Sequence, residues 1–290
     1  MTVRSLDSSP GILPLYARAA APMIPGASKL PFLPGGGGEI PELELRLDGV
    51  AAAPEEIAAY ARVCGFTLRD ELPPTYPHIL AFPLHMAVMA DSSFPFGAVG
   101  LVHLENSITQ KRPLGIGETL ELSVRPTPLQ PHAKGKTFSL VTEARVEGEI
   151  AWESTSTMLR RGKGDDSAPK TDARDFDAVP ASAEWRLGGD LGRRYGAVSG
   201  DRNPIHMHAL AAKPLGFPAA IAHGMWTKAR CLAALESRLP DSFSAEVAFR
   251  RPILLPAKVE FGSEDGDGGE IEFFVRDAKK KTPHLEGSVK

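Results

Sequence analysis

The amino-acid sequence of 290 residues predicts an α+β fold in which one structural unit occurs twice in tandem. In each half, a strand-like segment is followed by two helical segments and then by several β-rich runs that turn residues separate. Two short sequence matches also relate the halves, in the same order and at nearly the same offset. A long buried helix wrapped by an antiparallel sheet is the hotdog arrangement, so we predict a double hotdog whose two domains form a pseudo-dimer.

The two matches argue for a tandem duplication. Residues 60–65 (Tyr-Ala-Arg-Val-Cys-Gly) align with residues 195–200 (Tyr-Gly-Ala-Val-Ser-Gly). Further along, the Arg-Pro-Leu segment at Arg112 aligns with the Arg-Pro-Ile segment at Arg251, and a strand-like segment follows both at the same spacing. We therefore interpret the second half of the chain as a copy of the first.

The copies differ in their polar residues. A carboxylate, an amide and an imidazole follow Gly200, whereas the residues after Gly65 include no imidazole and no proline-stiffened turn. The offset of the second match places Ala222-His223-Gly224 opposite Pro83-Leu84-His85, which has no glycine. We predict that only the second half keeps a polar site and that the first half is a degenerate scaffold.

Composition shifts divide the chain into four segments. Residues 161–183 are polar and lack periodicity, which is typical of an interdomain linker. The start of the chain holds a short amphipathic piece near 13–21 and then a Pro/Gly-rich stretch. The predicted divisions are an N-terminal arm (1–41), a degenerate hotdog domain (42–160), the linker (161–183) and a hotdog domain that carries the polar site (184–290).

Local patterns predict the elements of the first half. From Leu43, apolar and charged residues alternate as in a strand. Pro54 and two glutamates then open a helix that Gly65 ends. The apolar stretch 77–90 predicts a second, more buried helix. Strands follow at 99–107, 118–124, 137–146 and 149–159.

The second half repeats this order. A short strand is predicted at 183–187. Asp190 stands at the expected cap of a helix whose apolar face includes Tyr195 and which Gly200 ends. A further helix starts near His223, because apolar residues follow at helical spacing.

Composition excludes several classes of function. A net charge of −3 without a basic stripe argues against a nucleic-acid binder. Cys64 and Cys231 are too few for a disulfide scaffold or a Cys-rich zinc site, and they fit a reducing cytosol. Arg18 interrupts the only signal-like apolar run, and four prolines interrupt the uncharged stretch 72–90. We predict a cytoplasmic protein that binds neither nucleic acid nor a membrane.

The sequence after Gly200 concentrates polar chemistry in six residues, Asp-Arg-Asn-Pro-Ile-His. Asn203 precedes a proline, which favours an extended backbone and a stiff turn. Asp201 and His206 are therefore expected to converge on one small volume. A carboxylate and an imidazole that share one water form an acid/base pair.

A second feature is the predicted helix start at Gly224. No Ser, Thr, Asp or Asn occupies the expected cap position. The first N–H groups then lack a side-chain partner, and glycine lets a ligand atom approach them. Such a helix end aimed at a carbonyl oxygen is an oxyanion hole. Together with an acid/base pair, it meets the requirements for adding water to an α,β-unsaturated thioester.

Simpler interpretations of these residues stay open. An Asp before Asn-Pro commonly forms an Asx-turn. Tyr195 is expected in the core, with its hydroxyl near the site. Metal-ligand residue types are also present: Asp201, His206, His208 and His223. Their spacing fits no known zinc pattern, so we predict no metal.

The second half resembles the MaoC-like, or hydratase 2, family of (R)-specific enoyl-thioester hydratases. Three motifs carry the resemblance: the Tyr-x-x-Val-Ser-Gly-Asp-x-Asn-Pro-Ile-His block at Tyr195, the Ala-His-Gly-Met block at Ala222 and the Arg-Arg-Pro-Ile-Leu-Leu-Pro strand at Arg250. The first half is similar to the degenerate halves of longer bacterial members. The likeness to the two-hotdog members of mycobacterial type covers almost the full chain.

The resemblance implies roles for individual residues. Asp201 and His206 would be the catalytic pair, the Gly224 N–H the oxyanion donor, and Asn203 a supporting polar group. Other motif positions predicted to support the site or contact substrate are Tyr195, Ser199, His223 and Met225. The family needs no metal or bound cofactor. His208 stands where members commonly carry Asp or Asn, so this chain departs from the pattern there.

The implied activity is the reversible hydration and dehydration of (3R)-hydroxyacyl and trans-2-enoyl thioesters in fatty acid metabolism, with CoA or acyl carrier protein as the carrier. A thioesterase of the same fold and a non-catalytic acyl-thioester-binding module are the alternatives. Two hotdog domains in one chain would satisfy the usual dimer internally, so a monomer and a homodimer are both compatible with the sequence.

Overall fold

The computed structural model of the protein describes residues 2–20, 38–98, 100–165, 167–168, 174–176 and 178–290. Contacts group the chain into two compact units, each made of three segments. Unit 1 comprises Met1–Ala52, Pro77–His103 and Gly117–Lys170. Unit 2 comprises Ala53–Tyr76, Leu104–Ile116 and Thr171–Lys290.

Strands and helices alternate in blocks along the chain. The strands are β1 (Thr2–Leu6), β2 (Leu43–Val50), β3 (Val102–Gln110), β4 (Leu120–Pro126), β5 (Gln130–His132), β6 (Gly135–Val146), β7 (Glu149–Arg161), β8 (Ala183–Leu187), β9 (Phe243–Phe249), β10 (Ala257–Asp265), β11 (Ile271–Asp277) and β12 (Pro283–Val289). The helices are α1 (Ile12–Ala20), α2 (Pro54–Cys64), α3 (Tyr76–Met89), α4 (Leu191–Ser199), α5 (Pro204–Met207), α6 (Ala209–Ala212) and α7 (Gly224–Ala234). Within the described parts of the chain, no helix combines the length and hydrophobicity that crossing a bilayer requires.

In unit 1, one long helix lies against a mainly antiparallel sheet. The strand order is β1-β2-β4-β6-β7, and β5 pairs with β6. Helix α3 buries apolar side chains such as Leu84 and Val88. His85 joins this helix to the sheet, because its Nε2 lies 2.7 Å from Thr142 Oγ1 on β6.

Strand β1 was not predicted from the sequence. It pairs in parallel with β2, and Arg4 Nη1 donates to Asp91 Oδ2 at 2.9 Å. Most of its residues are exposed, so it lacks the apolar alternation that marks a strand with one buried face. The predicted amphipathic piece corresponds to α1, whereas the Pro/Gly-rich stretch at 21–37 lies outside the described residues.

In unit 2, the sheet order is β3-β9-β12-β11-β10-β8, and each neighbouring pair is antiparallel. Helix α7 is tied to two of these strands by Lys228, which is fully buried. Its Nζ donates to the backbone and side-chain oxygens of Asn106 on β3 at 3.0 and 2.6 Å. It also donates to the Ala245 carbonyl oxygen on β9 at 2.9 Å.

Unit 2 also includes α2, which belongs to the first half of the sequence. The Trp226 Nε1–H on α7 donates to the Val63 carbonyl oxygen on α2 at 3.0 Å. Contacts thus place 53–76 and 104–116 with the second-half residues. The domain boundaries predicted from composition stay predictions, and much of the predicted linker lies outside the described residues.

Several local predictions can be compared directly with the structure. Gly65 (φ 86°) and Gly200 (φ 73°) end their helices in the left-handed conformation that glycine adopts without steric cost. Asp190 occupies the N-cap position of α4 as predicted, but its backbone is already helical and its side chain makes no capping hydrogen bond. The pairing of Pro83–His85 with the start of α7 was wrong, because α3 begins at Tyr76 and Pro83 lies inside it.

Candidate active site

Asp201 lies in the turn after α4. Its backbone N–H donates to Ser199 Oγ at 3.2 Å, and its Oδ1 accepts from the Asn203 N–H at 3.1 Å. This is the Asx-turn arrangement that the sequence also allowed. The carboxylate is only partly buried, so the turn holds it without removing it from solvent.

Asn203 caps the short helix α5. Its Oδ1 accepts from the Ile205 N–H at 3.4 Å, and Pro204 occupies the first helical position. The backbone of Asn203 (φ −54°, ψ 128°) is extended in ψ, as expected before a proline. The amide therefore sets the direction in which α5 leaves the turn.

His206, on α5, is buried and faces the start of α7. Its Nδ1 lies 2.8 Å from the Ile221 carbonyl oxygen. Because a carbonyl only accepts, Nδ1 carries the hydrogen, and Nε2 of the neutral ring keeps its lone pair. Nε2 is thus the atom that can take a proton from a substrate or from water.

His223, directly before Gly224, stacks on His206. The ring centroids lie 3.6 Å apart, and the ring planes are 25° apart. Its Nε2 lies 3.0 Å from the Asp201 carbonyl oxygen and 3.8 Å from Asp201 Oδ2. One ligand-type atom from each of these three residues lies within 4.8 Å of the others. His208 is exposed and does not belong to this group, so the four-residue metal set considered from the sequence is not assembled.

Burial controls the protonation of both imidazoles. It lowers the pKa of His206, against the opposing effects of the Asp201 carboxylate and the bond to Ile221. Burial lowers the pKa of His223 to about 3, and the neighbouring His206 adds to the effect. Both rings are therefore neutral at pH 7 in the resting protein.

Tyr195, on α4, lies on the other side of His223 with ring centroids 4.8 Å apart. Its hydroxyl is buried, and it has no well-formed hydrogen bond among the described residues, only a weak interaction with the Tyr60 hydroxyl. Burial raises the pKa of Tyr195 well above its usual value, so the phenol stays protonated. Ser199 and Met225 are also buried beside these residues, on α4 and α7.

Two glycines of α4 let the turn from Asp201 to His206 approach the helix. A Cβ at Gly192 would overlap the His206 carbonyl oxygen, and one at Gly196 would lie 2.8 Å from the Asp201 carbonyl oxygen. Neither glycine was predicted from the sequence to belong to the site. Their spacing of four places them on one helix face, which was the available signal.

The start of α7 presents unpaired N–H groups to this site. The first bond within the helix runs from the Thr227 N–H to the His223 carbonyl oxygen, so the Gly224 N–H has no acceptor in the helix. His223 makes no side-chain cap. A Cβ at Gly224 would lie 3.0 Å from Phe249 Cε1, so a larger residue would displace that ring. Phe249 was not identified from the sequence.

Comparison with known proteins decides the family. The family model "MaoC like domain" matches residues 178–282. The protein "3-hydroxyacyl-thioester dehydratase X" of Mycobacterium tuberculosis is 37% identical over 276 residues, which cover 94% of this chain and 95% of that relative. The chain belongs to the MaoC-like dehydratase family.

Solved structures of MaoC-like dehydratases agree with this assignment. The crystal structure of HtdX from M. tuberculosis superimposes with a TM-score of 0.76 at 36% identity, covering 85% of this chain and 98% of that chain. A MaoC-like dehydratase from Phytophthora capsici shares the fold at 19% identity, with a TM-score of 0.70 and coverage of 86% and 95%. The predicted family and the predicted double hotdog are both confirmed.

Proposed function

We propose that this protein is a hydro-lyase that reversibly hydrates trans-2-enoyl thioesters to (3R)-hydroxyacyl thioesters in fatty acid metabolism. The observation that carries the proposal is the stack of His206 on His223. It brings an imidazole with a free Nε2, the Asp201 carboxylate and the N–H end of α7 into one small volume of unit 2. Each group matches one requirement of the reaction.

Water addition needs a group that accepts a proton near neutral pH. A water held by the Asp201 carboxylate and His206 Nε2 would give its oxygen to C3 of the enoyl chain. Its proton passes to His206 Nε2 and from there to C2, so that one H and one OH add across the double bond. Positioned proton transfer of this kind contributes roughly 10² to 10⁴-fold to a rate.

The thioester oxygen gains negative charge while C3 is attacked. The Gly224 N–H at the start of α7 is the proposed donor to this oxygen, and the helix dipole has its positive end there. Glycine keeps that N–H accessible, because no Cβ stands between the ligand and the helix end.

The family assignment supports an acyl-thioester substrate and leaves the carrier to be proposed, with CoA and acyl carrier protein as the two choices. The monomer or homodimer state, the cytoplasmic location and the lack of a metal or cofactor also stay predictions. The His223 Nε2–H points at a carbonyl oxygen, so that nitrogen is not available as a ligand in the resting tautomer.

The test is the loss of absorbance of the conjugated enoyl thioester, with crotonyl-CoA, a longer enoyl-CoA and an enoyl-acyl carrier protein. We expect turnover by the wild type and none above background by Asp201→Asn or His206→Ala. The matched control is His208→Ala, an exposed histidine two residues further along, which should retain activity. Release of free thiol from a saturated acyl-CoA would instead indicate a thioesterase, and binding without turnover would indicate a binding module.

A further inference from the structure

His223 occupies the centre of the site. It is 2% exposed, and its ring lies between those of His206 and Tyr195, at centroid distances of 3.6 and 4.8 Å. The proposed mechanism assigns no proton transfer to this imidazole. A role other than proton transfer must therefore explain why the His223 ring is buried beside the partly exposed Asp201 carboxylate.

Hydrogen bonds assign opposite tautomers to the two stacked rings. His223 Nε2 faces the Asp201 carbonyl oxygen at 3.0 Å, and a carbonyl only accepts, so Nε2 carries the hydrogen. His206 carries its hydrogen on Nδ1, for the same reason at Ile221. One ring therefore donates to the catalytic turn, while the other keeps Nε2 free as a base.

Electrostatic repulsion prevents both stacked rings from being protonated at once. The charged and titratable groups around His223 are the Asp201 carboxylate, His206 and the Tyr195 phenol. A second cation stacked at 3.6 Å would be strongly repelled, so only one of the two rings is protonated at a time. Burial lowers the pKa of both rings, and the bond of His206 Nδ1 to Ile221 leaves His206 Nε2 as the atom that receives the proton during turnover.

His223 also connects two parts of the site that are far apart in sequence. Its carbonyl oxygen accepts from both the N–H and the Oγ1 of Thr227, which fixes its backbone at the start of α7. Its side chain reaches the Asp201 carbonyl oxygen, 22 residues earlier in the chain. The bonds described above from Ser199 and Asn203 to Asp201 span only two residues and stay within the turn.

We infer that His223 is a positioning residue. Its Nε2–H holds the backbone of Asp201, and its ring supports the plane of His206, so that the acid/base pair keeps a fixed distance from the Gly224 N–H. The inference rests on the proposed function, because it assigns these groups to one reaction. A displacement of about 1 Å between reacting groups can cost on the order of 10² in rate.

Two variants distinguish the effect of the His223 Nε2–H donor from the effect of the volume of the ring. His223→Gln keeps an N–H near the position of Nε2, whereas His223→Leu removes it and keeps an apolar side chain. We expect kcat of His223→Leu for crotonyl-CoA to fall by about 10 to 100-fold with little change in KM. His223→Gln should recover most of that loss. His208→Leu, at an exposed histidine, is the control for the substitution itself.

The pH profile distinguishes positioning from a purely structural role. The Asp201 carboxylate raises the pKa of His206 against burial, so a displaced Asp201 lets that pKa fall further. The acid limb of kcat/KM in His223→Leu should therefore move to lower pH. A residue needed only for packing would lower the melting temperature without moving that limb.

Imidazole nitrogen NMR tests the inference without relying on turnover. We expect the Nε2–H tautomer at His223 and the Nδ1–H tautomer at His206 in the wild type. A wild type without hydration activity would contradict the proposed function. The NMR spectrum would still test the predicted tautomers of His223 and His206. The inference is overturned by the opposite tautomer at His223, by a wild-type kcat in His223→Leu, or by a folded His223→Gln as impaired as His223→Leu.

Discussion

Tyr60 and Tyr195, which occupy matching positions in the two halves of the sequence, face each other inside unit 2 with ring centroids 6.1 Å apart. Their hydroxyls differ in one respect. The Tyr60 hydroxyl pairs with Thr75 Oγ1 at 2.8 Å, whereas the Tyr195 hydroxyl has no well-formed hydrogen bond among the described residues and only a weak interaction with the Tyr60 hydroxyl. Two rings at matching sequence positions thus lie in two different polar environments.

This difference predicts opposite effects of the same substitution. Tyr60→Phe should lower the free energy of unfolding by about 1 kcal/mol or more, because it leaves the buried Thr75 hydroxyl without its partner. Tyr195→Phe should be neutral or stabilising by up to about 1 kcal/mol, because a buried hydroxyl without a bond is costly. Urea unfolding of both variants measures the two values. A larger decrease in the free energy of unfolding for Tyr195→Phe than for Tyr60→Phe would contradict the hydrogen bonding described for the two hydroxyls.

Gly192 is predicted to be essential for the geometry of the turn from Asp201 to His206. An alanine there would overlap the His206 carbonyl oxygen, so α5 must move away from α4. We expect kcat/KM of Gly192→Ala for crotonyl-CoA to fall by about 10² or more. The matched control is Gly117→Ala, since no atom lies within 4 Å of the added Cβ at that position. Equal kcat/KM of Gly192→Ala and Gly117→Ala would show that activity tolerates the displacement of α5 from α4.

Gly224→Ala tests the start of α7. The added methyl would press on the Phe249 ring at 3.0 Å and shift the helix end. Alanine keeps the backbone N–H, so activity falls only if the methyl moves that N–H away from the thioester oxygen. Complete loss of one oxyanion donor typically costs about 10² to 10³ in kcat, and we expect a loss of up to that size. Adding Phe249→Leu makes room for the methyl. Recovery of activity in the double variant would attribute the loss to this contact, and full activity in Gly224→Ala would show that the Phe249 ring yields to the methyl without moving the helix start.

Stability should fall as the pH drops below about 6.5. Burial lowers the pKa of His85 and of His223 to about 3, so both bind a proton far more readily in the unfolded chain. The unfolded state therefore gains protons first, and the stabilisation present above pH 6.5 is lost progressively down to about pH 3. At pH 5 the loss amounts to roughly 2 kcal/mol for each histidine.

Urea unfolding between pH 7 and pH 5 measures this slope. His85→Gln should make the slope less steep, because one of the imidazoles whose pKa burial lowers is gone. Leu210→Gln, at an exposed position without a titratable group, should leave the slope as in the wild type. An unchanged slope in His85→Gln would show that this histidine does not govern acid stability.

Lys228 is predicted to be a strong contributor to stability. Its ammonium group donates to three oxygens of β3 and β9, so Lys228→Met leaves three buried acceptors without that donor. At about 1 kcal/mol for each lost hydrogen bond, unfolding should become easier by up to about 3 kcal/mol, less the cost of burying the Lys228 amino group, whose pKa burial lowers. Lys213→Met, at an exposed lysine, provides the control. A decrease in the free energy of unfolding below about 1 kcal/mol would mean that β3 and β9 repack around the methionine side chain.

The sequence predicted those features that depend on neighbours along the chain. Gly65 and Gly200 end helices because only glycine adopts their left-handed backbone without strain. The turn from Asp201 to His206 is likewise set by local capping and by a proline. These short-range rules need no knowledge of the tertiary structure.

Features that depend on distant contacts were not predictable. The need for glycine at Gly192 arises only when α5 lies against α4, and the position of Phe249 against Gly224 depends on the sheet. Strand β1 was missed because an exposed strand has no apolar face to reveal it. Asp190 stands at the predicted N-cap position, but its side chain makes no capping bond because the backbone is already helical at that residue.

The segments 53–76 and 104–116, which unit 2 takes from the first half, have an evolutionary consequence. If the two halves arose by the predicted duplication, one copy of the site suffices and the other is free to decay. The gene cannot then be shortened to its second copy, because the encoded fragment would lack α2 and the Asn106 acceptors of Lys228. Selection is therefore expected to act unevenly on the first half, strictly on these two borrowed segments and more loosely on the rest.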